Sequence, residues 1–185
     1  MSNPMQILGS THYAAMLAYG DFLLAGGGSI HCDAIQGISG VVTSDAMQML
    51  PDGRPLANLT RILTHFHWPD PGIVIEQNPS KPNTGTLTGN SPGGQAQLLP
   101  GTASFSQHII LTFNGRPLAN REPLTMTAEN VTAWPPVGSS FILIGQTDFY
   151  DLGEVDNPSA QVIASLCACK AVVVDEITLP TDSGA

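Results

Sequence analysis

Residues 59–68, Leu-Thr-Arg-Ile-Leu-Thr-His-Phe-His-Trp, put Ile62, Thr64 and Phe66 on one side of an extended chain and Leu63, His65 and His67 on the other. Alternation with a period of two is the pattern of a β-strand with one face buried. Apolar runs of strand length recur at 40–50 (GVVTSDAMQML), 72–77 (GIVIEQ), 103–113 (ASFSQHIILTF) and 139–146 (SSFILIGQ). The run at 162–179 (VIASLCACKAVVVDEITL) predicts a long, buried C-terminal strand. Strands also suit 21–40, broken by the glycines at 26–28. Two segments stay open between helix and strand. They are residues 11–24 and residues 157–168, where Asn157 offers a cap and Pro158 a first helical position. Short strands separated by turn signals predict a single all-β domain over 1–185, a sandwich or a barrel.

The chain writes Gly-Arg-Pro-Leu-Ala-Asn twice, at 53–58 and 115–120, and each copy is followed by Trp-Pro and a glycine, at 68–72 and 134–138. Asp52-Gly53 and Asn114-Gly115 precede the copies, and both dipeptides suit a type I′ hairpin turn. Each Trp-Pro predicts a strand end, because proline cannot donate to a central ladder. The expectation is an internal duplication of a three-stranded hairpin unit, residues 40–76 and 104–146. Residues 79–101, rich in proline and glycine, read as the connector. Arg54 and Arg116 follow the turn glycines and are expected to cap carbonyls or pair with acidic neighbours.

Composition narrows the partners. Charged residues make up 11% of the chain, and 15 Asp+Glu against 6 Lys+Arg give a net charge of −9. No basic patch exists to neutralise phosphates, which argues against nucleic acid and against an anionic membrane surface. The apolar stretch 13–25 is too short and too interrupted to span a bilayer and has no positive residue before it, so neither a membrane span nor a secretory signal is expected. Three cysteines in no disulfide spacing suit free thiols in the cytoplasm.

The chemistry on offer is sparse. On one strand face, His65 and His67 form half of a metal site that His108 would complete, with zinc or iron as the metal. The second repeat has Val131 and Ala133 where the first has these histidines, so the hairpin itself does not need them. Trp68 and Trp134 end equivalent strands and serve either as core anchors or as the walls of a small-molecule pocket. Cys167 and Cys169 would share a strand face, with core packing the simpler reading. Asp148, Asp151, Glu154 and Asp156 lack the spacing of a calcium loop. No Walker motif, nucleophile elbow or zinc-protease motif is present.

The stretch Asn120–Gly138 together with Asp148–Leu152 resembles uncharacterised bacterial all-β proteins over roughly residues 20–155. The resemblance implies the β fold and no activity. The expected function is non-catalytic binding or self-assembly, with a homo-oligomer formed through an edge strand or a flat sheet face. The alternative is a small-molecule enzyme. It would be metal-dependent through the His-x-His pair, or a cofactor-free cyclase or isomerase with an apolar pocket.

Overall fold

The computed structural model describes residues 7–92 and 97–177. Its regular elements are twelve strands and one 3-10 turn, Leu152–Glu154. The strands are β1 (Thr11–Leu24), β2 (Ser29–Met49), β3 (Pro55–Trp68), β4 (Ile73–Gln77), β5 (Thr84–Gly89) and β6 (Gly101–Gln107). They continue with β7 (Ile109–Phe113), β8 (Arg116–Asn120), β9 (Leu124–Val131), β10 (Ser140–Leu143), β11 (Thr147–Asp151) and β12 (Ala164–Ile177).

All pairings are antiparallel, and β12 returns to pair with β1, so the sheet closes. Strand β3 pairs with β4 through residues 65–68 and with β5 through residues 56–59. The short strands β4 and β5 are thus two halves of one line running beside β3. The same holds for β6 with β7, β8 with β9, and β10 with β11, each pair being consecutive along its neighbours. Taken as lines, the order is β1, β2, β3, β4/β5, β6/β7, β8/β9, β10/β11, β12: an up-and-down antiparallel barrel. Each described strand has a hydrogen-bonded neighbour on both sides. Closure removes the free edges that would otherwise invite pairing between copies.

Four lines break near mid-height, and at three of the breaks backbone bonds and amide side chains together mend the ladder. Asn78 N donates to His108 O at 2.8 Å, and His108 N donates to Asn83 Oδ1 at 2.7 Å. On β3, Thr64 N donates to Gln77 Oε1 at 3.1 Å. Asn120 closes the break between β8 and β9. Its Oδ1 accepts from Ile109 N, and its Nδ2 donates to Gln107 O and Glu122 O. These side chains matter because a buried backbone group without a partner is costly.

The core is the barrel interior. Phe22, Phe149, Leu59, Leu118 and Leu166 are fully buried, each contributing about 1.5–3 kcal/mol by the usual transfer scale. Gly37 on β2 lies opposite Phe66 on β3, and a Cβ there would meet the Phe66 ring at 2.1 Å. Glycine at 37 therefore makes the space that the ring fills.

Residues 11–24 are strand, and the 157–168 segment is loop up to 163 and strand from Ala164. The C-terminal strand ends at Ile177 in this description, and residues 178 and 179 lie outside the described residues. The expected connector 79–101 contains a strand, β5. The Asn114-Gly115 turn has positive φ at both residues, 48° and 77°, as type I′ requires. The first turn differs, because only Gly53 is left-handed there, at 83°. Pro51 fixes its own φ negative and sets a turn closed by Gly53 N donating to Leu50 O at 2.9 Å.

The repeated stretches are also built differently. Residues 40–76 run through β2, β3 and β4, whereas 104–146 spread over β6 to β10. Strand β3 is unbroken for 14 residues. The second copy stops at Asn120 and resumes at Leu124, because Pro123 has no N–H to give a ladder. The two GRPLAN copies start from opposite ends of the barrel. Both arginines take the expected structural part: Arg54 pairs with Asp52 at 2.7 Å and Arg116 with Asp151 at 2.9 Å.

Candidate functional site

The inward side of β3 carries Ile62, Thr64, Phe66 and Trp68. Thr64, Phe66 and Trp68 line an interior cavity of about 40 Å³, with Leu124 and Met126 of β9 and Leu166 of β12 among the facing residues. The Phe66 and Trp68 rings stack at 5.9 Å between centroids. Trp68 is anchored by its Nε1, which donates to Asp33 O at 2.8 Å.

Two polar side chains reach this apolar wall. Thr64 Oγ1 donates to Gln107 Oε1 at 3.2 Å, and both residues are buried. No hydrogen bond from Gln107 Nε2 is present among the described residues, and it is not among the buried polar atoms left without a partner, which are Thr43 Oγ1, His108 Nδ1 and Trp134 Nε1. Among the described residues no Asp, Glu, Lys, Arg or His lines the cavity. Thr64 and Gln107 were not singled out from the sequence. The signal was present, since Gln107 shares strand parity with Ala103 and Phe105, and Thr64 with Ile62 and Phe66.

Cys169 of β12 also lines the cavity. Gly20 of β1 pairs with Cys32 on one side and Cys169 on the other, so two thiols flank a position without a side chain. Burial pushes the Cys32 thiol up to about 11 and the Cys169 thiol to about 12, the latter with a further push from Cys32. Both are neutral thiols at physiological pH. All three cysteines are free.

His65 and His67 share the outward face of β3 and are exposed. His65 Nδ1 lies 3.3 Å from Glu76 Oε1, its cross-strand partner on β4. His108 sits at the β6–β7 break, with its Nδ1 buried and without a partner among the described residues. The line β4 separates it from β3. Among the described residues, no three His, Cys, Asp or Glu side chains come together as a metal-holding group. Trp68 and Trp134 are both buried but lie toward opposite ends of the barrel, Trp68 beside the β3–β4 turn and Trp134 in the β9–β10 loop. Trp134 Nε1 has no partner among the described residues.

A second polar group lies on the outer surface. His31 sits between Asp21 and Asp33, and the hydrogen bond that its Nδ1 donates to Asp21, followed by the charge of Asp21, raises its pKa above the ordinary histidine value. It borders a groove of about 290 Å³ that also holds Tyr19, Cys167 and Lys170.

No protein-family model matches the chain, and no curated protein matches it in sequence. A solved structure does match. DynF, from the dynemicin biosynthesis pathway of Micromonospora chersina, has a TM-score of 0.69 over 91% of this chain and 82% of that chain, at 18% identity. At that identity the likeness shows the fold alone. Among the described residues no helix is long and apolar enough to cross a membrane.

Proposed function

We propose that the barrel binds one small, neutral, mostly apolar molecule that carries a carbonyl group, and that it does so without catalysis. The observation that carries this reading is the Gln107 amide, an uncommitted donor held by Thr64 in an otherwise apolar interior. Pockets that recognise small molecules combine an apolar wall with a few fixed polar groups. An uncharged wall disfavours a charged guest, whose desolvation would go uncompensated. The non-catalytic part rests on the lining: it holds no general acid or base, and its one nucleophile, Cys169, is held as the neutral thiol.

At about 40 Å³ the cavity has room for roughly one water. A larger guest must displace side chains, and Met126 is the most adaptable of them. The wall beside Thr64 is held by amide side chains in place of a strand ladder, which makes it the natural point of entry.

A second reading is a cofactor-free cyclase or isomerase that acts by shaping an apolar substrate in this cavity. It is favoured by the likeness to DynF, a protein of a biosynthesis pathway. The first reading is tested by Trp68 emission in a Trp134→Phe variant titrated with acetophenone and with isopropylbenzene, its carbonyl-free isostere. Saturable binding that prefers acetophenone, with the preference lost in Gln107→Leu, is expected. Equal response to both, or none, rejects it.

A further inference from the structure

We propose that the outer face of β10, β12 and β1 is the contact surface for a second copy of this chain. Ile142 on β10 lies opposite Lys170 on β12, and Lys170 lies opposite Tyr19 on β1, so the three side chains form one outward row. Around the row, Tyr19 is 38% exposed, Val174 40%, Ile142 45% and Ile144 59%. Single exposed apolar residues are ordinary, but a contiguous group on neighbouring strands marks an interaction surface. Two grooves, of about 590 and 290 Å³, meet at Ile142 and make the face concave.

Charge identifies the occupant. The chain carries −9, so most of its surface repels another copy. Among the described residues Lys170, like Arg61 and Arg121, has no carboxylate within ion-pair distance, whereas Arg54, Arg116 and Lys81 are paired, and of the three Lys170 is the one that lies within this exposed apolar group. One and two strands away, Asp21 on β1 and Asp33 on β2 share a single imidazole, His31, and so keep negative charge even when the ring is protonated. The patch therefore holds an unpaired cation beside excess carboxylate, which is self-complementary. A two-fold pairing of the faces lays Lys170 of each copy against Asp21 of the other, as isologous contacts require. Sheet closure leaves a face as the surface available for such pairing.

The test is mass in solution by light scattering at micromolar concentration, for the full chain and three variants. Wild type is expected at twice the mass of one chain. Ile142→Lys/Ile144→Lys and Lys170→Glu are expected as monomers with wild-type thermal unfolding, and Lys170→Glu/Asp21→Lys is expected to regain the dimer. Monomeric wild type overturns the proposal. So does a dimer that survives both disruptive variants, which would put the interface elsewhere. Monomeric wild type that sediments with neutral phosphatidylcholine vesicles would assign the face to lipid instead.

Discussion

Asn120 Oδ1 accepts from Ile109 N at 2.7 Å, joining the end of β8 to the start of β7 at the level where the barrel's strand lines break. Asn120 has no exposed surface and makes two further bonds, from Nδ2 to Gln107 O and Glu122 O. Its counterpart in the first repeat, Asn58, is the fourth residue of an unbroken strand. Asn120→Ala leaves several buried backbone groups without partners and is expected to cost about 3 kcal/mol or more, at roughly 1–3 kcal/mol per orphaned group. Asn58→Ala is expected to cost much less. Urea unfolding of both variants gives the comparison, and equal losses would deny Asn120 this bracing role.

Gly37→Ala is expected to destabilise the barrel by about 1–3 kcal/mol, the usual range for overpacking. The added Cβ falls 2.1 Å from Phe66 Cδ1 and 2.5 Å from His65 O. The ring can turn, but the backbone oxygen cannot move without disturbing the ladder between β2 and β3. Thermal unfolding measures the effect. If Phe66→Leu in the same chain restores the loss, ring crowding is its main source.

The strands were legible wherever one face is buried. The run 59–68 alternates in the sequence as it does in the barrel, with Thr64 and Phe66 inward and His65 and His67 outward. Closure was not legible, because it joins β1 to β12, near opposite ends of the chain. No local pattern records that pairing. The first turn was misread for a local reason: Asp52-Gly53 resembles a type I′ pair, yet Pro51 sets the backbone beforehand. The repeated GRPLAN drew attention to likeness, while the difference between the copies came from Pro123. Histidines and tryptophans stood out as chemistry, whereas the pair that meets inside the barrel is Thr64 and Gln107. Polar residues at inward parity were the better guide.

The thiols separate by environment. Cys32 is pushed up to about 11 and Cys169 to about 12, so both stay protonated and unreactive at pH 8. Raised thiol values mean that the thiolate appears only as the pH climbs toward them. In the folded protein, a disulfide reagent at pH 8 is expected to modify Cys167 and spare the other two. All three should react in denaturant. Cys169 is half-buried like Cys167, so rapid reaction of Cys169 in the folded state would contradict the neutral thiol on which the non-catalytic reading depends.

The central claim is that a neutral carbonyl compound enters the barrel and meets Gln107. The most direct measurement is a two-dimensional NMR titration of the ¹⁵N-labelled, methyl-labelled protein with acetophenone. The account predicts that the Gln107 side-chain amide and the Met126 methyl shift together and saturate, while Tyr19 and Ile142 on the outer face stay still. Shifts confined to the outer face, or no saturable shift at Gln107, would contradict it.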